Sequence, residues 1–334
     1  MSTTNQNNAF DLSVIITTRN CVEQLSRCIG AVQPLMMQGE LRVECLVMDM
    51  NSADATREYL EAERDRWHIT NFVSAPFRNR FEAMNHGLQM AQGKICLFIT
   101  PETELMVENT LTGCSPILEG GSECVFSSAV QVHTENGLHR PQMPNTEHLY
   151  LRIPCNHAAF FCSADLLRRL RGFDFARYPE VADVDLMHRA LAAGVPYRIT
   201  TLSTCRQYLC QERKDDEAIH VDFLRFIASH REEILRQCRE HPSYSIRTIH
   251  EILRHAVRCN WPVEGNTLSA LDKLLQDIRR EIRPGIKRKI IRRLRRRALA
   301  QALLIPFKGL RRAHITVKIC RSHFHVARLL GEDA

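Results

Sequence analysis

Up to about residue 205, short apolar runs alternate with segments in which apolar residues recur at helical spacing. Runs at residues 12–17, 43–48, 69–73 and 95–99 predict four β-strands, and the segments between them predict helices. Strands that alternate with helices in this way are typical of a parallel or mixed sheet packed between helices. We therefore predict an α/β domain in this part of the chain.

The segments between these strands predict three helices. In the first helix, apolar residues recur every three or four positions. They are Val22, Leu25, Cys28, Ile29 and Val32. The second helix opens at Asp54, a residue type that accepts hydrogen bonds from free backbone amides, and runs towards Trp67. The third helix covers residues 81–91.

From about residue 215 the apolar spacing is purely helical, and Pro284 and Gly285 end this pattern. The sequence thus predicts an α/β domain at residues 10–210, a helical region at 215–282 and a tail at 283–334.

The charge of the chain is concentrated in the tail. Residues 283–334 carry 15 Lys and Arg against 2 acidic residues, a net charge of +13, so that residues 1–282 hold −6 of the +7 total. Eight of the twelve residues at 286–297 are Lys or Arg, yet one apolar stripe persists at helical spacing. The stripe consists of Ile286, Ile290, Leu294 and Ala298. A basic amphipathic helix is predicted there.

Three partners would suit such a tail. Anionic lipid attracts clustered cations and also accepts an apolar stripe, so a membrane surface is the favoured partner. An acidic protein is the second alternative. Nucleic acid is the third and least favoured, since the chain has no base-reading module and no aromatic platform.

The chain lacks the features of an exported or membrane-spanning protein. Residues 1–8 are polar and uncharged, unlike a secretory signal, and no run reaches the length of a membrane-spanning helix. The thirteen cysteines are scattered without a Cys-x-x-Cys pair, which predicts reduced thiols. Cys155 with His157, and Cys320 with two later histidines, lack the second half of a zinc site. We expect a cytoplasmic protein, peripheral on the inner membrane face.

Polar and charged residues follow each of the four predicted strands. Open α/β sheets bind their ligands at the carboxyl ends of their strands, so these residues should line a common crevice. The four strand ends are Thr17-Thr18-Arg19-Asn20, Asp49-Met50-Asn51-Ser52-Ala53-Asp54, Ala75-Pro76-Phe77-Arg78 and Thr100-Pro101-Glu102-Thr103-Glu104.

Several ordered motifs resemble glycosyltransferase family 2. Residues 12–20 resemble its first strand with a Thr-x-Asn ending, and residues 49–56 resemble its Asp-x-x-Ser-x-Asp-x-Thr turn. Residues 73–87, with Glu-Ala-Met-Asn-His-Gly, are similar to a colanic-acid-type subgroup. Residues 156–161, 172–174 and 182–186 resemble the acceptor-side and catalytic-base segments. The resemblance extends over residues 12–200, and several motifs in order are more specific than any one of them.

The resemblance implies a GT-A fold, a mixed sheet flanked by helices, followed here by the C-terminal helical region. It also implies inverting transfer of a sugar from a UDP- or GDP-linked donor to a hydroxyl of a glycan or a lipid-linked acceptor, in cell-surface polysaccharide biosynthesis. A catalytically inactive nucleotide-binding scaffold or regulator with the same fold is the alternative.

The resemblance places the nucleotide of the donor at the first three strand ends. The matching positions are Thr17, Thr18, Asn20, Asp49, Arg78, Glu82 and Asn85. Arg78 would face the diphosphate, where a cation forms charge-assisted hydrogen bonds. Glu82 has a simpler alternative role as a cap of its own helix.

Metal binding is where this sequence departs from the family. The position of the Asp that usually binds Mn or Mg is occupied by Thr103, whose neutral hydroxyl is a poor ligand for a hard divalent cation. Glu102 and Glu104 flank Thr103 and are the substitute ligands that we predict. Loss of metal binding is the alternative.

Asp183 matches the catalytic base of the family, and a carboxylate suits this role because it can take the proton of the attacking hydroxyl. Asp185 would be the base if the alignment shifted by two residues, and on a helix only one of the two can face the sugar. His157 matches a histidine near the acceptor pocket, with a buried structural histidine as the alternative.

Overall fold

The computed structural model describes residues 9–120, 123–134, 137–138, 141–145, 150–151, 153–209, 216–240, 248–249, 252–253 and 262–281. The chain divides into two compact units, Met1–Asp222 and Phe223–Ala334. The predicted basic tail at 283–334 lies outside the described residues.

Four parallel strands form the first half of the sheet, which confirms the predicted α/β pattern. They are β1 (Phe10–Thr18), β2 (Val43–Asp49), β3 (Asn71–Ser74) and β4 (Gly93–Ile99), in the spatial order β3-β2-β1-β4. The third strand begins two residues later than predicted. The N–H of Ile69 donates to the carbonyl of Arg64 at 3.0 Å, which keeps Ile69 in the preceding turn.

The three predicted helices are α1 (Val22–Met37), α2 (Thr56–Glu63) and α3 (Arg80–Met90). The second ends at Glu63, short of the predicted end at Trp67. Its N-cap position is Ala55, one residue after the predicted Asp54. The Asp54 carboxylate nevertheless accepts from the Thr56 N–H at 3.0 Å, so it still satisfies a free amide at the start of the helix.

The second half of the sheet is mixed. Its elements follow α3 and β4 in the order β5 (Thr103–Leu105), α4 (Val107–Gly120), β6 (Val125–Thr134), β7 (Gly137–Leu138), a 3-10 helix (His157–Ala159), β8 (Phe160–Ser163), α5 (Ala164–Arg169), α6 (Ala182–Ala192) and β9 (Tyr197–Leu209). The spatial order is β3-β2-β1-β4-β8-β6-β9-β5, with β7 paired to β6. Strand β8 is antiparallel to β4 and β6, so the sheet changes direction in its middle.

Both faces of the parallel strands are covered, as expected for buried parallel sheet. On one face Val14 and Ile16 pack in the main apolar cluster with residues of α1 such as Leu25. On the other face, Phe173 stacks on Phe81 of α3 at 5.4 Å between ring centroids. Phe173 also meets Phe98 of β4 edge-on at 4.9 Å.

The boundary between the two units falls within helix α7 (Asp216–Ser229). The second unit also contains α8 (Arg231–Glu240) and α9 (Gly265–Glu281), which confirms helical structure after residue 215. Within this unit, Arg231 of α8 donates from Nε to Oδ2 of the buried Asp277 of α9 at 2.6 Å. Among the described helices, none combines the length and apolar composition that crossing a membrane requires.

A buried carboxylate fastens the amino ends of the central strands. Glu44, only 2% exposed, accepts hydrogen bonds from the Ser13 hydroxyl at 2.5 Å and from the backbone N–H groups of Gln92 at 2.5 Å and Gly93 at 3.0 Å. A Cβ at Gly93 would lie 2.6 Å from the Ser13 nitrogen, so only glycine fits there. This cluster holds β1, β2 and β4 in register at the edge opposite the predicted donor site.

Removal of the Glu44 carboxylate should destabilise the fold. In Glu44→Ala the two backbone amides of Gln92 and Gly93 lose a buried acceptor, and we expect the free energy of unfolding to fall by about 2–4 kcal/mol. Glu44→Gln keeps an acceptor oxygen and should lose less. Urea denaturation measures both changes. Glu40→Ala, at an exposed position in the preceding loop, is the control. Equal stability of Glu44→Ala and Glu40→Ala would contradict this role.

Candidate active site

The carboxyl ends of β1 and β2 are joined by hydrogen bonds that position Asn20. Its backbone N–H donates to the Ser52 hydroxyl at 2.9 Å, and its side-chain oxygen accepts from the Ala53 N–H at 2.7 Å. Asn20 and Asn51 both have left-handed backbones, with φ of 51° and 55°, a conformation that Asn tolerates better than most residues. The loops that follow β1 and β2 are therefore hydrogen-bonded to each other at this edge of the sheet.

Asp49 lies at the centre of this edge and is completely buried. Its carboxylate accepts from the backbone N–H of Ser52, at 3.2 Å to Oδ2, and from the Ser52 hydroxyl. The Ser74 hydroxyl at the end of β3 donates to Oδ2 at 2.6 Å. Strand ends β2 and β3 thus meet at one carboxylate, whose orientation is fixed by three donors.

Thr17 and Thr18 end β1 and are both buried. The Thr18 hydroxyl lies 3.1 Å from the sulfur of Cys21, at the start of α1. Burial raises the pKa of the Cys21 thiol, so this group is neutral at physiological pH. The side chain of Thr18 is thus engaged with the helix that follows, while the Thr18 carbonyl accepts from the Met50 N–H at 2.9 Å.

Arg78 and Glu82 are neighbours at the start of α3. Glu82 accepts from the backbone N–H of Arg78 at 2.6 Å, and its other oxygen lies 3.4 Å from Nε of Arg78. The Arg78 side chain is 80% exposed. Asn79 caps the helix, because its side-chain oxygen accepts from the N–H groups of Phe81 and Glu82 at 3.0 Å. Glu82 therefore has the local capping role that the sequence left open.

Sequence reasoning missed the cap at Asn79, although a sequence pattern for it exists. An Asn followed three residues later by Glu is the spacing of a helix-capping pair.

Asn85 connects α3 to the segment before α6. Its amide nitrogen donates to the Phe173 carbonyl at 2.9 Å, and its oxygen accepts from the Phe173 N–H at 2.8 Å. The preceding Gly172 has φ of 64°, and a Cβ there would lie 2.2 Å from the Asn85 oxygen. Both halves of the Asn85 amide are thus used inside the protein, and its predicted role in donor binding stays a prediction.

Glu102, Thr103 and Glu104 follow β4 and begin β5, where side chains alternate in direction. Thr103 is completely buried, and its hydroxyl has no hydrogen-bond partner in the described part of the chain. Glu102 and Glu104 line one surface cavity of about 90 Å³ together with residues of α1 and β9. The Tyr208 hydroxyl donates to Oε2 of Glu104 at 3.0 Å.

Two carboxylates in this cavity are of the ligand type that a hard divalent cation prefers, and Arg27 also lines the cavity. Glu102, in the turn before β5, and Glu104 of β5 supply oxygen, the ligand atom that Mg and Mn prefer. The described residues contain no group of three or more His, Cys, Asp or Glu that could hold a metal ion. Two protein carboxylates leave most of the coordination shell to water and substrate phosphates, as is usual for Mg.

Asp183 lies in the first turn of α6, next to His157. Its Oδ1 accepts from the Val184 N–H at 2.9 Å, and its Oδ2 lies 3.6 Å from Nδ1 of His157. Both side chains are 15% exposed. The structure thus brings together the predicted base and the predicted acceptor-side histidine, and one carboxylate oxygen faces that histidine.

His157 is positioned by the residue before it. Asn156 caps the 3-10 helix, since its side-chain oxygen accepts from the Ala158 N–H at 3.0 Å. Its amide nitrogen donates to the buried Gln207 of β9 at 2.7 Å. His157 therefore stands on a short helix whose start is tied to the sheet.

Asp185 points away from this pair, as the helical spacing predicted for two residues that lie two apart. It is 4% exposed and accepts from Nε of Arg189, one turn later, at 2.7 Å. Arg189 also donates to the carbonyls of Leu170 at 2.6 Å and Gly172 at 2.8 Å. Asp185 thereby orients an arginine that holds the turn before α6, and its predicted place on the acceptor side stays a prediction.

The chain is similar to known proteins in its sequence profile and in its fold. Residues 13–169 match the sequence profile described as Glycosyl transferase family 2. No curated protein sequence was found that matches the chain.

Solved structures of S. aureus TarS, residues 1–349, are similar to the chain over most of their length. The complex with UDP has 16% identity and a TM-score of 0.57, covering 88% of this chain and 91% of TarS. The complex with UDP-GlcNAc has 16% identity and a TM-score of 0.56, covering 88% of this chain and 92% of TarS. The predicted GT-A fold is thereby confirmed. The narrower resemblance to a colanic-acid-type subgroup stays a prediction.

Proposed function

We propose that this chain, whose residues 13–169 match the profile of glycosyltransferase family 2, transfers a sugar from a UDP- or GDP-linked donor to an acceptor hydroxyl with inversion. The acceptor is a glycan or a lipid-linked glycan, and the setting is cell-surface polysaccharide biosynthesis. The observation that carries the proposal is the pair of Asp183 and His157, with Oδ2 of Asp183 facing the histidine. TarS structures that hold UDP and UDP-GlcNAc support a nucleotide sugar as the donor class.

Asp183 is the general base of the proposed reaction. The acceptor oxygen attacks the anomeric carbon while its proton passes to Oδ2 of Asp183. The bond between the anomeric carbon and the diphosphate oxygen breaks, and its electrons stay on that oxygen. A single displacement inverts the anomeric carbon. Oδ1 is occupied by the Val184 N–H, which fixes the carboxylate so that Oδ2 is the oxygen presented. His157, whose Nδ1 lies 3.6 Å from Oδ2 of Asp183, contacts the acceptor or orients the base.

The donor nucleotide binds at the carboxyl ends of β1, β2 and β3. Asp49, whose carboxylate Ser52 and Ser74 hold in a fixed orientation, lies beside the nucleoside in this proposal. In this proposal Thr17 and Thr18 at the end of β1, and Asn20 just after it, lie beside the nucleotide. Glu82 and Asn85 support this site from α3.

Arg78 faces the diphosphate in this proposal. Its guanidinium is 80% exposed, and its ion pair with Glu82 is an exposed one. Surface pairs of this type contribute only about 0–1 kcal/mol, so Arg78 can exchange Glu82 for a phosphate at little cost.

A divalent metal, Mn or Mg, would be held by Glu102 and Glu104, which share one cavity. A bound cation would stabilise the negative charge that develops on the departing diphosphate. In this site the two glutamates would hold the metal, and the buried Thr103 would not contact it.

The basic tail gives the enzyme a membrane partner. Residues 283–334 carry +13, and clustered Lys and Arg each contribute about 1 kcal/mol of attraction near an anionic leaflet. A lipid-linked acceptor would be reached from that surface. The protein would then be cytoplasmic and peripheral on the inner membrane face.

Loss of the base should abolish transfer and spare nucleotide binding. We expect Asp183→Asn to lower kcat by about 10²–10⁴, the usual contribution of a general base. The assay follows release of UDP or GDP from a panel of UDP- and GDP-sugars, and nucleotide affinity is measured by calorimetry. Asp165→Asn, on the surface of α5, is the matched control. Undiminished turnover in Asp183→Asn would refute the assignment. Wild-type protein that binds nucleotide but never turns over would favour the inactive scaffold.

Metal dependence should respond to the two cavity carboxylates. We expect Mn to tighten UDP or GDP binding, and Glu102→Gln and Glu104→Gln to weaken the apparent Mn affinity by about 10-fold or more. Calorimetry of nucleotide binding with Mn, with Mg and with EDTA provides the measurement. Glu108→Gln, exposed in the first turn of α4, is the control. Nucleotide affinity and turnover that EDTA does not change would exclude a metal at this cavity.

The tail should carry membrane binding. We expect the full chain to sediment with anionic liposomes in low salt and to be released at high salt, because screening weakens exposed charge interactions. Deletion of residues 283–334 should abolish sedimentation while turnover of a soluble acceptor persists. Neutral liposomes are the control. Sedimentation that the deletion leaves unchanged would eliminate this surface as the membrane contact.

A further inference from the structure

Helix α6, which carries Asp183, begins without a cap from its own N-cap residue. That position is Val181, whose apolar side chain makes no capping hydrogen bond. The first amides of a helix have no partner within the helix and must find one elsewhere. An acceptor from another element is therefore expected at this point.

Asp222 of α7, the last residue of the first unit, supplies that acceptor. Its Oδ2 accepts from the backbone N–H of Glu180 at 2.9 Å and from that of Val181 at 3.1 Å. The Asp222 side chain is buried, with an exposure of 2%. A buried carboxylate at this position is stabilised by the two N–H groups and by the positive end of the α6 dipole.

Helix α3 also holds the segment of Glu180 and Val181, through a bond to a carbonyl rather than to an N–H. Nη2 of Arg80 donates to the Glu180 carbonyl at 3.2 Å, and its guanidinium lies over the Phe81 ring at 4.6 Å from the centroid. Residue Glu180 is thus bonded at its N–H by Asp222 and at its carbonyl by Arg80. Two elements far apart in sequence fix the place where α6 begins.

We propose that Asp222 is a positioning residue for the catalytic base, an inference that rests on the proposed function of Asp183. Asp183 is two residues beyond Val181 in a regular helix, so the point at which α6 begins sets the position of its carboxylate relative to His157. Asp222 lies outside residues 13–169, the part of the chain that matches the family. The catalytic machinery therefore extends into the first helix of the C-terminal helical region.

The test compares Asp222→Ala with Asp222→Asn in the full chain. Alanine removes the acceptor, whereas asparagine keeps one oxygen that can accept from both amides. We expect Asp222→Ala to lower kcat by about 10–100-fold, since a displacement of about 1 Å in a catalytic group can cost 100-fold. KM for the sugar nucleotide and the Kd for UDP or GDP should not change. Asp222→Asn should restore most of kcat.

Two further measurements separate positioning from loss of stability. Asp277→Ala removes another buried aspartate, the partner of Arg231 in the second unit, and should lower the melting temperature without a selective loss of kcat. Amide hydrogen exchange should speed up at Glu180 and Val181 in Asp222→Ala and return to the wild-type rate in Asp222→Asn.

The outcomes distinguish this inference from the proposed function. If Asp183→Asn abolishes turnover and Asp222→Ala leaves kcat unchanged, the positioning role fails and the proposed base stands. An equal loss of kcat in Asp222→Ala and Asp277→Ala would also overturn it, because general destabilisation would then suffice. If the wild-type chain turns over no UDP- or GDP-sugar, the proposed function fails. If Asp183→Asn is fully active, the assignment of the base fails. The positioning role fails in either case.

Discussion

The parallel pairing of β1 with β2, and of β2 with β3, is the constraint on which the proposed donor side depends. In this register Thr18 lies opposite Asp49, and Asp49 lies opposite Ser74. The hydrogen bond between Ser74 and Asp49 is thus a direct consequence of strand pairing. A slip of one residue would turn every side chain of a strand to the other face and place Met48 where the carboxylate stands. The buried Glu44 cluster at the opposite edge, which joins β2 to β1 and β4, opposes such a slip.

The proposed acceptor side depends on a different requirement, namely that the backbone amides at helix starts find hydrogen-bond acceptors. Asn79 and Asn156 cap α3 and the 3-10 helix from the position just before each helix. Asp222, distant in sequence, accepts from the backbone N–H of Val181 at the start of α6. Each cap stands next to a predicted site residue, because polar groups that end strands and begin helices lie at the same edge of the sheet. Stability and the proposed catalysis therefore depend on the same hydrogen bonds, and a substitution at a cap should alter the geometry of the candidate site.

The sequence predicted those strands and helices in which apolar residues recur at a regular spacing. Buried strands such as residues 43–48 and amphipathic helices such as 81–91 repeat their apolar residues at the period of the element itself. The Asn85 clamp on Phe173 and the Asp222 cap join residues 88 and 41 positions apart, and no local pattern contains them. The end of α2 was predicted too late because Trp67 fits the helical spacing, although the chain is already turning at Glu63. Strands β5 to β9, in the mixed half of the sheet, were not predicted individually, and β5 and β7 have only three and two residues.

Thr103 shows how a departure from a family pattern can follow from geometry. Thr103 begins β5 with its side chain buried, whereas Glu102, in the turn before β5, and Glu104 of β5 line the cavity. A carboxylate at 103 would be buried where even the threonine hydroxyl has no partner among the described residues, and an unpaired buried charge is costly. The flanking glutamates avoid that cost because they reach solvent and Tyr208. A metal held there would have only two protein carboxylates, so its affinity would depend on the diphosphate. In the proposed reaction, metal and donor would then bind as one unit, whereas Asp183 would be in place before either arrives.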